Sequence, residues 1–177
     1  VITDYFGDGA KWGMRIHYAV EDEPLGRGGA IKHAYRRLPD APDLVVATNG
    51  DVITNLPLLP VVEHHRAQGV LATVVLTPYV STYGLVEVDD RNRVVAFHEK
   101  PTLPYWVNAG IYVLSREAIE QFPDAGDHET TTFPALAAAG RLGAYKSTAY
   151  WRAVDTVKDL SEVKKELERR LLTAFLA

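Results

Sequence analysis

The sequence predicts an α/β fold with a mostly parallel sheet, and three observations predict it. Two short apolar runs, "DLVVATNGD" (43–51) and "VLATVVLT" (70–77), end or begin at turn residues in the manner of buried strands. The segment between them, "NLPLLPVVEHHRAQG", reads as a helix, with Asn55 as its cap, Pro57 near the first turn and Gly69 at its close. Strand, helix and strand at this spacing imply a parallel crossover. The last segment, "TVKDLSEVKKELERRLLTAF", repeats Val157, Leu160, Val163, Leu167, Leu171 and Phe175 at steps of three and four, the apolar face of an amphipathic helix.

The remaining elements follow in order. "VITDYFGDG" reads as the tail of a helix and a turn; with Val1 first and Met14 the only methionine, it suggests a fragment. "MRIHYAV" (14–20) alternates loosely and carries β-formers, so it is expected to be a strand. "PLGRGGAIKHA" (24–34) sets Gly26, Gly28 and Gly29 just before a helical pattern. "YGLVEVDDRNRVVAFHEKP" (83–101) is two alternating runs about the turn "DDRN", a β-hairpin inserted over or beside the sheet. "WVNAGIYVL" (106–114) is a further strand, and Ser115 caps the short helix "REAIEQF". Without repeats, linkers or low-complexity tracts, residues 1–177 are expected to form one domain.

Composition limits the function classes. A chain of 177 residues, 47% hydrophobic and 24% charged, can bury a sizeable core. Its net charge of -4 comes from interspersed acids and bases, which argues against nucleic acid or an anionic membrane as partner. The sequence has no cysteine, which excludes disulfides, thiolate zinc sites and cysteine nucleophiles and makes a reducing cytoplasm the expected location. No apolar run approaches the roughly 18 residues of a membrane-spanning helix.

Several short stretches could carry chemistry. Asp51 of "NGD" follows an apolar strand, where a carboxylate can reach a bound cation, although Asn-Gly-Asp is also good turn chemistry. The three glycines of "PLGRGG" allow close approach to a ligand, and a plain tight turn explains them equally. In "HEKP", Pro101 biases Lys100 toward extended backbone, so Glu99 and Lys100 face opposite sides; a lysine suits phosphate and a carboxylate suits sugar hydroxyls. A solvated salt-bridge edge is the plain alternative. The six histidines are dispersed, and His64 and His65, adjacent on a helix, do not face one site, so no histidine metal centre is expected. No serine sits in a nucleophile-elbow pattern.

Taken in order, "EDEPLGRGGAIKHA", "VATNGDVITNL", "YGLVEVD", "FHEKP", "VNAGIYVLS", "FPALAAAGRLGAYKSTAYW" and "AVDTVKDL" resemble the sugar-1-phosphate nucleotidyltransferases, over essentially the whole chain. The resemblance implies a Rossmann-like sandwich and transfer of a nucleotidyl group from an NTP to a sugar-1-phosphate, releasing pyrophosphate with Mg²⁺. It implies Asp51 as a Mg²⁺ ligand, Gly26, Gly28 and Gly29 at the nucleotide, Gly84, Glu99 and Asn108 at the sugar, and Lys100 at its phosphate. Mannose- or glucose-1-phosphate is the implied acceptor. The family opens with a strand and a glycine-rich loop carrying an arginine and a lysine that hold the triphosphate, and this sequence begins after that region. Truncated sheet edges would invite self-association, so a homo-oligomer is among the expectations.

The chain departs from the family at "YWRAVDT", where the family reads Trp-x-Asp-x-Gly-Thr. Ala153 stands at the usual aspartate and Asp155 at the usual glycine, an arrangement similar to glucose-1-phosphate cytidylyltransferases. Thr156 and Asp159 can supply a helix cap of their own, so Asp155 is expected to be a second cation ligand opposite Asp51, with a helix cap as its other possible role. A regulatory member that binds a sugar nucleotide without turnover would also tolerate Ala153.

Overall fold

The computed structural model describes residues 1–168. Its strands are β1 (Leu44–Thr48), β2 (Val52–Thr54), β3 (Ala72–Val80), β4 (Leu85–Val88), β5 (Val94–His98), β6 (Thr102–Ser115), β7 (Leu142–Lys146) and β8 (Trp151–Ala153). Its helices are α1 (Ile2–Phe6), α2 (Gly26–Tyr35), α3 (Leu58–Gln68), α4 (Arg116–Glu120), α5 (Thr132–Ala138) and α6 (Val157–Glu168).

Four strands form a sheet in the order β1-β6-β3-β7, and two-stranded sheets pair β2 with β8 and β4 with β5. β6 runs against both of its neighbours. Against β1, Arg116 N–H donates to the Asp43 carbonyl at 2.9 Å and Asn49 N–H to the Gly110 carbonyl at 2.8 Å. Against β3, Ser115 N–H donates to Leu71 and Ser81 N–H to Pro101. β3 and β7 advance together, since Leu71 N–H reaches Arg141 and Ser147 N–H reaches Leu76. Three strands therefore share a direction, as the crossover implies, and β6 is inserted between β1 and β3.

The described residues divide into two compact units. One takes Val1–Ala47, His65–Thr73 and Val113–Gly143; the other takes Thr48–His64, Val74–Tyr112 and the chain from Ala144. The core of the first includes Val113, Leu114, Ile119, Phe122, Phe133 and Leu136. His128 is fully buried there, stacked on Phe122 at 4.7 Å and edge-on to Phe133 at 4.6 Å, and burial lowers its pKa. The second core gathers Val61, Val75, Ala109, Ile111, Tyr112 and Val163. Each Val, Leu, Ile or Phe among them contributes about 1.5–3 kcal/mol on full burial.

Local chemistry sets several boundaries. Ser115 Oγ accepts the Ala118 amide at 3.1 Å and starts α4 as a side-chain cap. The hairpin turns at Asp89–Arg93, where Asp89 and Arg93 bond through backbone and side chain and Asn92 takes a φ of 59°. α6 opens with a reciprocal box: Asp159 N–H donates to Thr156 Oγ1 at 3.1 Å, and Thr156 N–H donates to Asp159 Oδ2 at 2.9 Å. The Thr156 hydroxyl, foremost, holds the Asp159 carboxyl below its ordinary pKa.

Three expectations are corrected. Residues 14–20 form no strand, because Met14 N–H and Ile16 N–H bond back to Gly9 and Asp8, and Tyr18 Oη to the Gly7 carbonyl. Asn55 does not cap α3, which begins at Leu58; its Oδ1 accepts the Tyr150 amide at 2.9 Å. Lys100 has a φ of 47°, in the left-handed region rather than extended, despite Pro101. The terminal helix forms as expected and buries Val163, but Val157 and Leu160 of the anticipated apolar face are exposed; Leu171 and Phe175 lie outside the described residues. Among the described residues no helix is long and apolar enough to cross a membrane.

Candidate active site

Within the second unit, three sequence stretches are tied to one another by direct bonds. β2 and β8 pair antiparallel, with Val52 opposite Ala153 and Thr54 opposite Trp151, and Val154 N–H donates to the Asp51 carbonyl at 2.8 Å. This joins "NGD" to "AVD". Asn49 N–H bonds the Gly110 carbonyl at 2.8 Å, joining "NGD" to "NAG". The ring closes where Trp151 Nε1–H donates to the Ala109 carbonyl at 2.8 Å.

Gly110 is required in this ring. Its φ is 68°, and a Cβ there would lie 2.7 Å from Asn49 Nδ2, so a side chain would separate the two stretches. Asn108 is exposed and locally fixed: its Nδ2 donates to Tyr112 Oη and its Oδ1 accepts Gly110 N–H, each at 2.9 Å.

Asp51 and Asp155 both stand at the end of the β2-β8 ladder, just beyond its final pair, and both are exposed. Neither side chain has a hydrogen bond or ion pair to the described residues. With Thr156 and Asp159 forming the cap, Asp155 is not needed for it. Behind the ladder, Arg152 bonds Glu166 Oε1 at 3.0 Å and Asp159 Oδ1 at 3.4 Å and pairs with Glu162. Tyr150 Oη donates to Glu166 Oε2 at 2.5 Å; burial first, then this carboxylate, pushes its phenol up to about 12.

Gly84 and Glu99 also meet. A Cβ on Gly84 would lie 2.9 Å from Glu99 Oε2 and 2.8 Å from Phe97 Cζ, so the missing side chain leaves room for the carboxylate. The hairpin register supplies this approach, with Leu85 opposite His98. Lys100 follows in its left-handed conformation, exposed and with no side-chain bond to the described residues. Among the described residues no three His, Cys, Asp or Glu side chains are grouped as a metal ion would need.

The glycine turn lies in the other unit. Gly26 is exposed with a φ of 72°, whereas Gly28 and Gly29 are buried. Gly28 and Gly29 N–H both donate to the Gly126 carbonyl, at 2.9 and 3.3 Å. These first-turn amides are thus engaged by backbone, and Gly26 is the member of the trio open to solvent. His64 and His65 diverge, to the Ala144 carbonyl at 3.1 Å and to Thr73 Oγ1 at 2.9 Å.

Sequence reasoning missed Asn49, Gly110 and Trp151 as the parts that hold the stretches together. Each sits inside a motif already singled out, but its partner is remote in sequence.

The chain is 34% identical over 172 residues to a mannose-1-phosphate guanylyltransferase of Mycobacterium tuberculosis, covering 93% of this chain and 47% of the relative. It is 31% identical over 158 residues to a UTP–glucose-1-phosphate uridylyltransferase of Synechocystis, covering 78% and 41%. It therefore spans less than half the length of these relatives. The crystal structure of HddC from Yersinia pseudotuberculosis shares the fold, with a TM-score of 0.70 at 24% identity over 94% of this chain and 73% of that one. The family model described as nucleotidyl transferase matches residues 1–170, and the chain belongs to that family.

Proposed function

We propose that the protein transfers a nucleotidyl group from an NTP to a sugar-1-phosphate. The observation that carries this reading is the ring of bonds uniting the stretches of Asp51, Asn108 and Asp155. An oxygen of the sugar phosphate attacks the α-phosphorus; a P–O bond forms as the bond to the bridging oxygen breaks, and its electron pair leaves with pyrophosphate. Such a transfer needs positioned anions and neutralised charge rather than a covalent nucleophile.

Each residue has a part in that scheme. Asp51 and Asp155 would hold Mg²⁺, two carboxylates being a usual protein share of its coordination, with substrate phosphates completing it. When bound, the cation supplies charge neutralisation at the transferring phosphate. In extended chain a step of two returns a side chain to the same side, so Asp155 can serve where Ala153 has no carboxylate. Glu99, in the space left by Gly84, accepts from a sugar hydroxyl, Asn108 adds a polar contact, and Lys100 neutralises the sugar phosphate. Gly26 approaches the nucleotide.

Mannose-1-phosphate with GTP is the first pair to try, because it matches the name of the Mycobacterium tuberculosis relative; glucose-1-phosphate with UTP is the next. The cytidylyl assignment suggested by "AVDT" gains no support from these relatives. A cytoplasmic setting remains the working proposal for this cysteine-free chain.

The test is pyrophosphate release by the protein at its full encoded length, with Mg²⁺, across a panel of NTPs and sugar-1-phosphates. Turnover that falls by at least about a hundredfold in both Asp51→Asn and Asp155→Asn supports the assignment. Ala153 favours a second reading, a member that binds sugar nucleotides without turnover. Binding with no pyrophosphate release from any pair would select it.

A further inference from the structure

The segment Pro123–Glu129 supplies the nearest contact of each glycine in the turn described above. α2 has no side-chain cap at Leu25. Instead, Gly126 accepts the Gly28 and Gly29 amides and returns its own N–H to the Leu25 carbonyl at 2.7 Å. A Cβ on Gly26 would lie 2.7 Å from the Gly126 carbonyl oxygen, one on Gly28 2.8 Å from His128 N, and one on Gly29 2.6 Å from the Asp124 carbonyl oxygen. All three glycines are therefore demanded by one neighbouring segment.

Arg27, the residue inside that trio, reaches to the same segment. Its Nε donates to Asp127 Oδ2 at 2.8 Å, and its Nη1 pairs with Glu129 Oε2 at 2.6 Å. Asp127 is itself fixed, because its Oδ1 accepts the Glu129 amide at 2.9 Å and its carbonyl accepts the Thr131 hydroxyl at 2.7 Å. Burial would raise the Asp127 carboxyl, but the Glu129 amide and Arg27 outweigh it and hold the group below its ordinary pKa. One turn along α2, Lys32 Nζ bonds the Phe122 carbonyl at 2.7 Å and pairs with Asp124 at 3.1 Å.

We propose that Asp127 and Glu129 are positioning residues for nucleotide binding: through Arg27 they hold the turn so that Gly26 meets the uncharged part of the nucleotide, its base or ribose. This rests on the reading of Gly26 as a nucleotide contact. Arg27 is then a strut rather than a reader of the base, since its Nε, Nη1 and Nη2 each engage a carboxylate of this segment. The Gly28 and Gly29 amides, already bound to Gly126, are not offered to a phosphate.

The experiment compares wild type, Glu129→Gln, Arg27→Ala and the exchanged pair Arg27→Glu with Glu129→Arg. KM for the NTP, KM for the sugar-1-phosphate and kcat are measured, along with equilibrium binding of GTP and UTP and the urea unfolding midpoint. Glu129→Gln and Arg27→Ala are expected to raise the NTP KM and Kd by about tenfold with the sugar KM unchanged, and the exchanged pair to recover part of the loss. An effect in Arg27→Ala with none in Glu129→Gln would make Arg27 a direct reader and overturn the proposal. A lowered unfolding midpoint with unaltered nucleotide constants would reduce the contact to stability alone, and overturn it too. A wild type that binds NTP without turnover removes only the catalytic reading, and the Kd comparison still decides this one. If wild type neither turns over nor binds NTP, both readings fall.

Discussion

Replacing Gly84 by alanine separates recognition from stability. The new methyl would begin 2.8 Å from Phe97 Cζ and 2.9 Å from Glu99 Oε2, roughly half an ångström inside ordinary contact. Gly84 does not have a left-handed φ, so alanine meets no backbone penalty there. Phe97 is 64% exposed, and its ring can turn into solvent. The stability change should therefore stay within about 1 kcal/mol, helped by the reduced freedom of the unfolded chain. The Glu99 carboxylate has to move as well. A displaced charged acceptor loses about 1.5–3 kcal/mol at a sugar hydroxyl, or roughly tenfold to a hundredfold in KM for the sugar-1-phosphate. Steady-state pyrophosphate release at varied sugar-1-phosphate and a urea titration read the two effects separately. An unchanged sugar KM with a stability loss well beyond 1 kcal/mol would refute the role of Gly84 as the space for Glu99.

Other perturbations give distinct signatures. Trp151→Phe removes the donor to the Ala109 carbonyl, and should lower stability by about 1–2 kcal/mol and kcat with it, as read by urea unfolding and turnover. Unaltered kcat would detach this bond from the alignment of Asp51 and Asp155. Ser115→Ala should cost about 1 kcal/mol through loss of the α4 cap while leaving both KM values alone; denaturation at a constant m-value checks it. Tyr150 titrates at about 12 in the folded protein against 10 for an ordinary phenol. Its folded pKa is the higher one, so its contribution is complete below pH 10 and is lost as pH rises through 12. Unfolding midpoints for wild type and Tyr150→Phe should converge across that window, and parallel pH profiles would count against it.

Legibility in the sequence followed the range of the interactions. The Thr156–Asp159 box, the Ser115 cap and the Asp89–Arg93 turn all close within a few residues, and each was readable from adjacent letters. Asn55 carries an equally good capping side chain, yet it serves Tyr150, 95 residues away, which no local pattern reveals. Residues 14–20 have β-forming composition, but the turn just before them takes the Met14 and Ile16 amides. Lys100 overrides the usual preference of a residue before proline, and the sequence gives no sign of it. In the site itself, the motifs with Asp51, Asn108 and Asp155 could be picked out singly; their union through Gly110 and Trp151 depends on the folded sheet. The glycine turn was half legible. Its need for small residues was evident, whereas the cause for Gly28 and Gly29, close packing against the Pro123–Glu129 segment, was not.

The ring formed by Asn49 with Gly110, Asp51 with Val154, and Ala109 with Trp151 also dictates when the site can come into being. Its shortest link already spans 42 residues, and each of the others spans more. Closures of this kind form slowly, because the chain between the ends must be ordered before the contact rewards it. A polypeptide emerging from the ribosome can fold the β4-β5 hairpin as soon as it appears, but the carboxylate pair cannot be assembled until Trp151–Asp155 have followed. The two proposed cation ligands are thus brought together only after the hairpin and the other local structure that precede Trp151 are in place.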